Sequence, residues 1–182
     1  MGIEFSGKVA SKTFSCDSMD EVYGILNSVR DKFVANGHGN APICWVASNM
    51  LSGLLDIASR EKVAATLKQK GIPYFALISK DTKMNQFAAK LYNSIGLNTK
   101  IIDKLNAKFS IGVYGNLVVY VSFSPEVEQA IDKFHSSPAN LTEEGVKRFL
   151  GDARVRGGYH VILINDKQMS NQYRKYVTGH FC

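Results

Sequence analysis

Residues able to do chemistry are few in this sequence and stand far apart. The 182 residues include three cysteines and four histidines. Cys44, His160 and Asp166 are the types a thiol hydrolase combines, with a thiolate nucleophile and an imidazole base. Cys44, however, lies inside Ile43-Cys44-Trp45-Val46-Ala47, an apolar run where a cysteine is expected to pack as a small hydrophobe and stay protonated. His38 lies between Gly37 and Gly39, His135 is in loop-like surroundings, and His180 and Cys182 stand together late in the sequence. No His-x-x-x-His or Cys-x-x-Cys spacing occurs, so a dedicated zinc site is not expected. No Gly-x-x-x-x-Gly-Lys-Ser/Thr loop is present, and Gly112-x-x-Gly115 falls in an expected hairpin rather than between a strand and a helix. Nucleotide hydrolysis therefore has no motif behind it.

Positive charge beside aromatic rings is the stronger signal. Lys plus Arg number 22 against 16 for Asp plus Glu, and the sequence pI is near 9.2. Such an excess suits a polyanionic partner, because neutralised phosphates release counterions, although it also serves solubility. Lys147, Arg148, Arg154 and Arg156 flank Gly157-Gly158, with Tyr159 beside them. Lys167, Arg174 and Lys175 form a second cluster with Tyr173 and Tyr176. Cations interleaved with aromatics suit a nucleic-acid backbone and its stacked bases. A solvated helix face accounts for the second cluster, so the stretch from Arg154 to Tyr159 is the better interface: its glycines let backbone approach phosphate closely.

A folded frame must hold these groups. Hydrophobic residues make up 45% of the chain and charged residues 21%, the balance of an ordinary globular protein. The length suits one core, and a single domain over 1–182 is expected. No stretch approaches the roughly 20 apolar residues of a membrane span. The first residues lack a signal-peptide pattern, and three cysteines without metal spacing fit a reducing compartment, so a cytoplasmic location is expected.

Ile3 to Phe14 reads as an opening strand. Ser18 and Glu21 form a capping-box pattern ahead of Val22, Ile25, Leu26, Val29 and Phe33 on one helical face, and Asn36-Gly37 ends that helix. Ile43 to Ala47 has the composition of a strand buried on both faces. A helix follows through Leu67 to Gly71, then a strand from Tyr74 to Ile78. Met84 to Ile95 is a further helix, with Phe87, Leu91 and Ile95 four apart, and Ile101-Ile102 lies in a short strand. Phe109 to Val113 and Leu117 to Val121 are joined by the turn Tyr114-Gly115-Asn116. A helix, a strand from Val161 to Ile164 and a basic helix from Ser170 to Val177 complete the order. This alternation predicts an α/β fold with a mixed, mostly parallel sheet flanked by helices on both faces.

Three segments then carry a family resemblance, in order. Leu105-Asn106-Ala107-Lys108-Phe109 opens a strand, Ser137-Pro138-Ala139-Asn140-Leu141-Thr142 precedes a helix, and Gly158-Tyr159-His160-Val161 opens another strand. Over roughly residues 40 to 178 the chain resembles one half of a phospholipase D-like nuclease, with its Leu-His-x-Lys-Phe, Gly-Ser-x-Asn-Leu-Thr and Asn-Tyr-Glu-Val segments. The resemblance implies a His that attacks the phosphodiester phosphorus and a Lys that binds a phosphate oxygen. Here the His position is Asn106, whose amide nitrogen lone pair is delocalised and cannot attack. Lys108 is kept, Val113 stands where the family can carry Asp, and His160 where related nucleases often carry Glu. Spacing from Asn106 matches the polar element to Ser122 and Ser124, whereas letter similarity matches it to the segment ending in Asn140.

The resemblance thus implies a nucleic-acid-binding domain that has lost its chemistry. The alternative is a metal-independent phosphodiesterase whose nucleophilic His is replaced by Asn106. A non-enzymatic protein-interaction subunit is the competing class. The family's single-motif members imply a homodimer with paired Lys108 residues and no cofactor.

Overall fold

The apolar runs become the centre of one sheet, with helices on both of its faces. The computed structural model describes residues 10–37, 41–50, 57–103, 105, 109–136, 144–145, 148 and 157–182. The elements are β1 (Ala10–Cys16), α1 (Met19–Ala35), β2 (Ile43–Ala47), α2 (Ile57–Gln69), β3 (Tyr74–Ile78), α3 (Lys83–Ser94), β4 (Asn98–Ile101), β5 (Ser110–Tyr114), β6 (Leu117–Phe123), α4 (Pro125–His135), β7 (Tyr159–Asn165) and α5 (Lys167–Thr178).

The strand order is β1-β7-β6-β5-β2-β3-β4. Only β2–β3 and β3–β4 pair in parallel; β1–β7, β2–β5, β5–β6 and β6–β7 are antiparallel. The mixed sheet is as expected, but its mostly parallel character is corrected. A helical crossover brings a strand back parallel, as between β2, β3 and β4, whereas the tight turn at Gly115 (φ +59°) reverses β6 on β5. That hairpin sits mid-sheet; β5 also runs against β2, and β7, reached after α4, runs against both β6 and β1.

Alternation along the strands divides the core in two. Ile43, Ile78, Tyr114, Val119, Val121, Val161 and Leu163 face α1 to α4. Cys44, Val46, Leu77 and Val113 face the other way, against Val177 of α5. Each fully buried aliphatic contributes about 1.5–3 kcal/mol over its exposed state, so α5 is held mainly by this small second cluster.

Local signals explain most element ends. Ser18 Oγ accepts the Glu21 N–H at 3.3 Å and Glu21 Oε2 accepts the Asp17 N–H at 3.1 Å, so the capping pattern closes one residue further back than its usual form. Helix α3 departs from its apolar spacing: Phe87 is 42% exposed, while Met84, Asn85, Ala88, Ala89 and Tyr92 are buried. The two alanines let the helix lie close to its neighbours, and Asn85 is drawn inward by backbone partners. Among the described residues, no helix is long and apolar enough to cross a membrane.

Candidate functional site

One edge of the sheet gathers an end of each of its seven strands. The parallel strands β2, β3 and β4 finish there, at Ala47, Ile78 and Ile101. Strand β5 starts there, β6 ends there, β7 starts there and β1 ends there, at Ser110, Phe123, Tyr159 and Cys16. The carboxyl ends of parallel strands are where open α/β sheets bind ligands. Helix α4 opens at this edge too, capped by Ser124.

The β2–β3 half is closed by a polar network. Lys80 Nζ meets Asp132 Oδ1 at 2.5 Å, and Asn49 Nδ2 donates to the same oxygen at 3.2 Å. Asn85 is fully buried. Its Oδ1 accepts the Met50 N–H at 3.0 Å, and its Nδ2 donates to the carbonyls of Lys80 at 2.9 Å and Ser48 at 3.2 Å. Thr82 Oγ1 accepts the Asn85 N–H at 3.1 Å and lies 3.5 Å from His135 Nδ1. His135 is the last residue of α4, not a loop residue, and is only 4% exposed. Burial pushes its imidazole down to about 4, with Asp132 opposing and Lys80 assisting. Its Nε2 has no hydrogen-bond partner among the described residues. The imidazole is therefore neutral at pH 7.

The β6–β7–β1 half is open. Ser15, His160 and Ser122 stand opposite one another across β1, β7 and β6 and share one face by strand parity. Ser15 and His160 are exposed and Ser122 is half-buried. Ser124 is committed elsewhere: its Oγ caps α4 by accepting the Val127 N–H at 3.4 Å, and its own N–H donates to the Gly158 carbonyl at 2.7 Å. The Gly157 N–H donates to the Asp17 carbonyl at 2.7 Å, with φ +76°; Gly158 has φ +70°. A Cβ on Gly158 would lie 2.6 Å from Ser124 Cβ and Oγ, so this loop needs glycine for space as well as for backbone.

Tyr159 is a correction. It turns to the opposite face from His160, is 1% exposed, and packs edge-on against Phe123 at 5.8 Å. Burial pushes its hydroxyl up to about 12. A buried core ring cannot stack on a base. Arg148 is exposed, with Glu144 Oε1 at 3.5 Å one helical turn away. Arg174 donates to the Gly115 carbonyl, and to Asn171 Oδ1 at 2.8 Å, tying α5 to the hairpin rather than offering it to a ligand. Asn106, Lys108, Asn140, Lys147, Arg154 and Arg156 lie outside the described residues.

Cys44 and His160 are not brought together, because β5 and β6 separate their strands. Burial raises the Cys44 thiol to about 12, against the opposing charge of Arg174, so it behaves as a core hydrophobe. Among the described residues, no three His, Cys, Asp or Glu side chains are grouped as a metal site needs.

No family model matches the sequence, and neither does any curated protein. Solved structures do. NucT from Helicobacter pylori superposes with a TM-score of 0.54 at 13% identity, covering 94% of this chain and 94% of its own. TrmBL2, an archaeal chromatin protein whose structure shows a novel mode of DNA binding, superposes with a TM-score of 0.50 at 10% identity. That match covers 93% of this chain and 52% of TrmBL2, so the chain spans about half its length. The chain shares the fold of both.

Sequence reasoning missed Ser15 and the whole closed half. Asn49, Lys80, Asn85, Asp132 and His135 are ordinary residue types scattered from position 49 to position 135. The available signal was positional: Asn49 and Lys80 each stand two residues beyond a strand end, at the edge this fold uses.

Proposed function

We propose that this domain is a phospholipase D-like module that binds nucleic acid at the open half of the edge and does not cleave it. The observation that carries the reading is the row Ser15, His160 and Ser122, two exposed and the third half-buried, at one end of the sheet, in a fold shared with NucT and with TrmBL2, a DNA-binding chromatin protein. Chain connectivity supports it. Lys108 comes two residues before Ser110, which opposes Val121 beside Ser122, and Arg156 immediately precedes Gly157, which bonds to Asp17. Lys108, Arg154 and Arg156 supply the phosphate contacts, with Lys147 and Arg148 adding to the field around them. Ser122 and Asn140 supply neutral hydrogen bonds. Asn106 leaves the nucleophile position without a nucleophile.

The test compares the parent chain with Lys108→Ala, with Arg154→Ala/Arg156→Ala and with Asn106→His, using fluorescent single- and double-stranded DNA and RNA and resolving products on a gel. Binding lost in the first two variants, with no cleavage by the parent, is the expected result. Turnover by the parent without added divalent metal would overturn the inactive reading. Turnover appearing only with Asn106→His would identify a disabled phosphodiesterase.

A second reading rests on the middle of the same face, where Tyr120, Ile162 and Ile164 are only half-buried. They suit a protein partner, above all a second copy of the chain. Sedimentation of the parent beside Ile162→Lys distinguishes a dimer through this face from a monomer.

A further inference from the structure

Two aromatic rings beside the open row bear on which form of nucleic acid it takes, an inference that rests on the reading above. Strand parity carries the face of the row inward along the sheet. Tyr120 lies two residues from Ser122 on β6, Ile162 lies two residues from His160 on β7, and the two oppose each other. Phe109, directly ahead of β5, lays its ring against Tyr120, with centroids 4.8 Å apart and planes tilted by 37°. Both residues are half-buried, so the pair keeps surface open to solvent although its members touch. An aromatic pair therefore stands one step inward from the hydroxyls and imidazole of the row.

The surroundings of the pair suit a polyanion. On this face the described side chains of β1, β6 and β7 include no Asp or Glu, so nothing there repels a phosphate. Burial and the neighbouring Tyr173 raise the Tyr120 hydroxyl above its usual value, so the ring is neutral at pH 7. In sequence, Lys108 stands directly before Phe109, which puts a cation next to a ring. Helix α5 covers the same face over Cys44, Val46, Leu77 and Val113 but leaves Tyr120 and Ile162 half-open. On the other face, Tyr114 and Tyr159 are sealed in the core, which is what packing alone does with such a ring.

We propose that the open half binds an unpaired stretch of nucleic acid, with a base lying on the Phe109–Tyr120 pair. The flanking phosphates meet Lys108 and the row Ser122, His160 and Ser15. A duplex keeps each base face against its neighbours and turns only phosphates, sugars and base edges outward, so rings on a sheet surface have no base face to meet. An unpaired strand offers those faces, and every base has one, so stacking adds affinity without demanding a sequence. Phosphate contacts alone would not distinguish the two forms in this way. The rings do.

The experiment compares the affinity of the full chain for one fluorescent DNA strand with its affinity for the same strand in a duplex. A second strand carrying iodouracil is irradiated in the complex, and the cross-linked residue is identified by mass spectrometry. Single-strand binding on the order of tenfold tighter than duplex binding is expected, with the cross-link on Phe109 or Tyr120. Tyr120→Leu should bring single-strand affinity down to the duplex value, whereas Tyr120→Phe, which keeps the ring, should retain the preference. Equal affinity for both forms in the parent chain, or a cross-link elsewhere, would overturn the inference. Salt-sensitive binding lost in Lys108→Ala would then still support the polyanion reading, whereas no binding to either form would remove both. A dimer that dissociates in Tyr120→Leu while nucleic-acid affinity stays the same would overturn the inference and give the face to a second copy of the chain.

Discussion

The two halves of one sheet edge are built on opposite principles. On the β2–β3 side, Asn85, Lys80, Asp132 and Asn49 are locked in hydrogen bonds, and His135 is sealed beneath them. On the β6–β7–β1 side, Ser15, Ser122 and His160 stand in register, with Ser15 and His160 exposed. Asn85 is fully buried and a buried polar group must be satisfied, so it and its partners behave as structure although Lys80 and Asp132 keep 36% and 45% of their side-chain surface, whereas the exposed Ser15 and His160 keep their donors and acceptors for a ligand. Polarity at a strand end therefore does not mark a site by itself. Burial decides.

The largest expected effect lies in the closed half. Asn85→Leu keeps the shape but strands the Met50 N–H and two carbonyls, and should cost about 3–4 kcal/mol in urea unfolding. A loss below about 1 kcal/mol would mean the network is not structural.

His135 gives the next effect, and its sign is fixed by the direction of the shift. Its folded pKa of about 4 lies below the usual 6.5, so the unfolded chain takes up the proton first. Its contribution is complete above about pH 6.5 and is lost as pH falls toward about 4, on the order of 3 kcal/mol in all. The slope of stability against pH in that window should flatten in His135→Gln. An unchanged slope would show that the imidazole is not sealed.

The glycine pair ahead of β7 separates space from backbone. Both have positive φ, but a Cβ meets nothing at Gly157 and meets Ser124 at Gly158. Gly157→Ala should cost about 1 kcal/mol and Gly158→Ala about 2 kcal/mol or more. The reverse order would place the constraint in the backbone alone.

The smallest stability effect belongs to the open half. Ser15→Ala and His160→Ala should leave unfolding within about 0.5 kcal/mol of the parent while weakening nucleic-acid binding several-fold. Stability lost without any change in binding would make the row another piece of frame.

Much of this contrast was legible from residue types and period. Ile43–Ala47 and Tyr74–Ile78 announce themselves as buried strands because they are apolar throughout, and Gly115-Asn116 marks the hairpin. Strand direction is not written in an apolar run, and so the antiparallel half of the sheet came only with the pairing. Tyr159 was misjudged although period two places it with Val161 and Leu163, inward, and His160 outward. Helix α3 misled for another reason: its large apolar residues lie toward solvent, while alanines and an asparagine make the contact. The closed network was invisible because its members come together only when β2, β3 and α4 do.

The central claim is that the open half binds a polyanion. Its most direct test is the affinity of the chain for a short fluorescent oligonucleotide at about 50 and about 200 mM salt. With three or four phosphates neutralised by Lys108, Arg154, Arg156 and their neighbours, affinity should fall on the order of a hundredfold across that range, and Lys108→Ala should reduce the slope by about one contact. Binding that ignores salt, or no binding at the lower concentration, would contradict it.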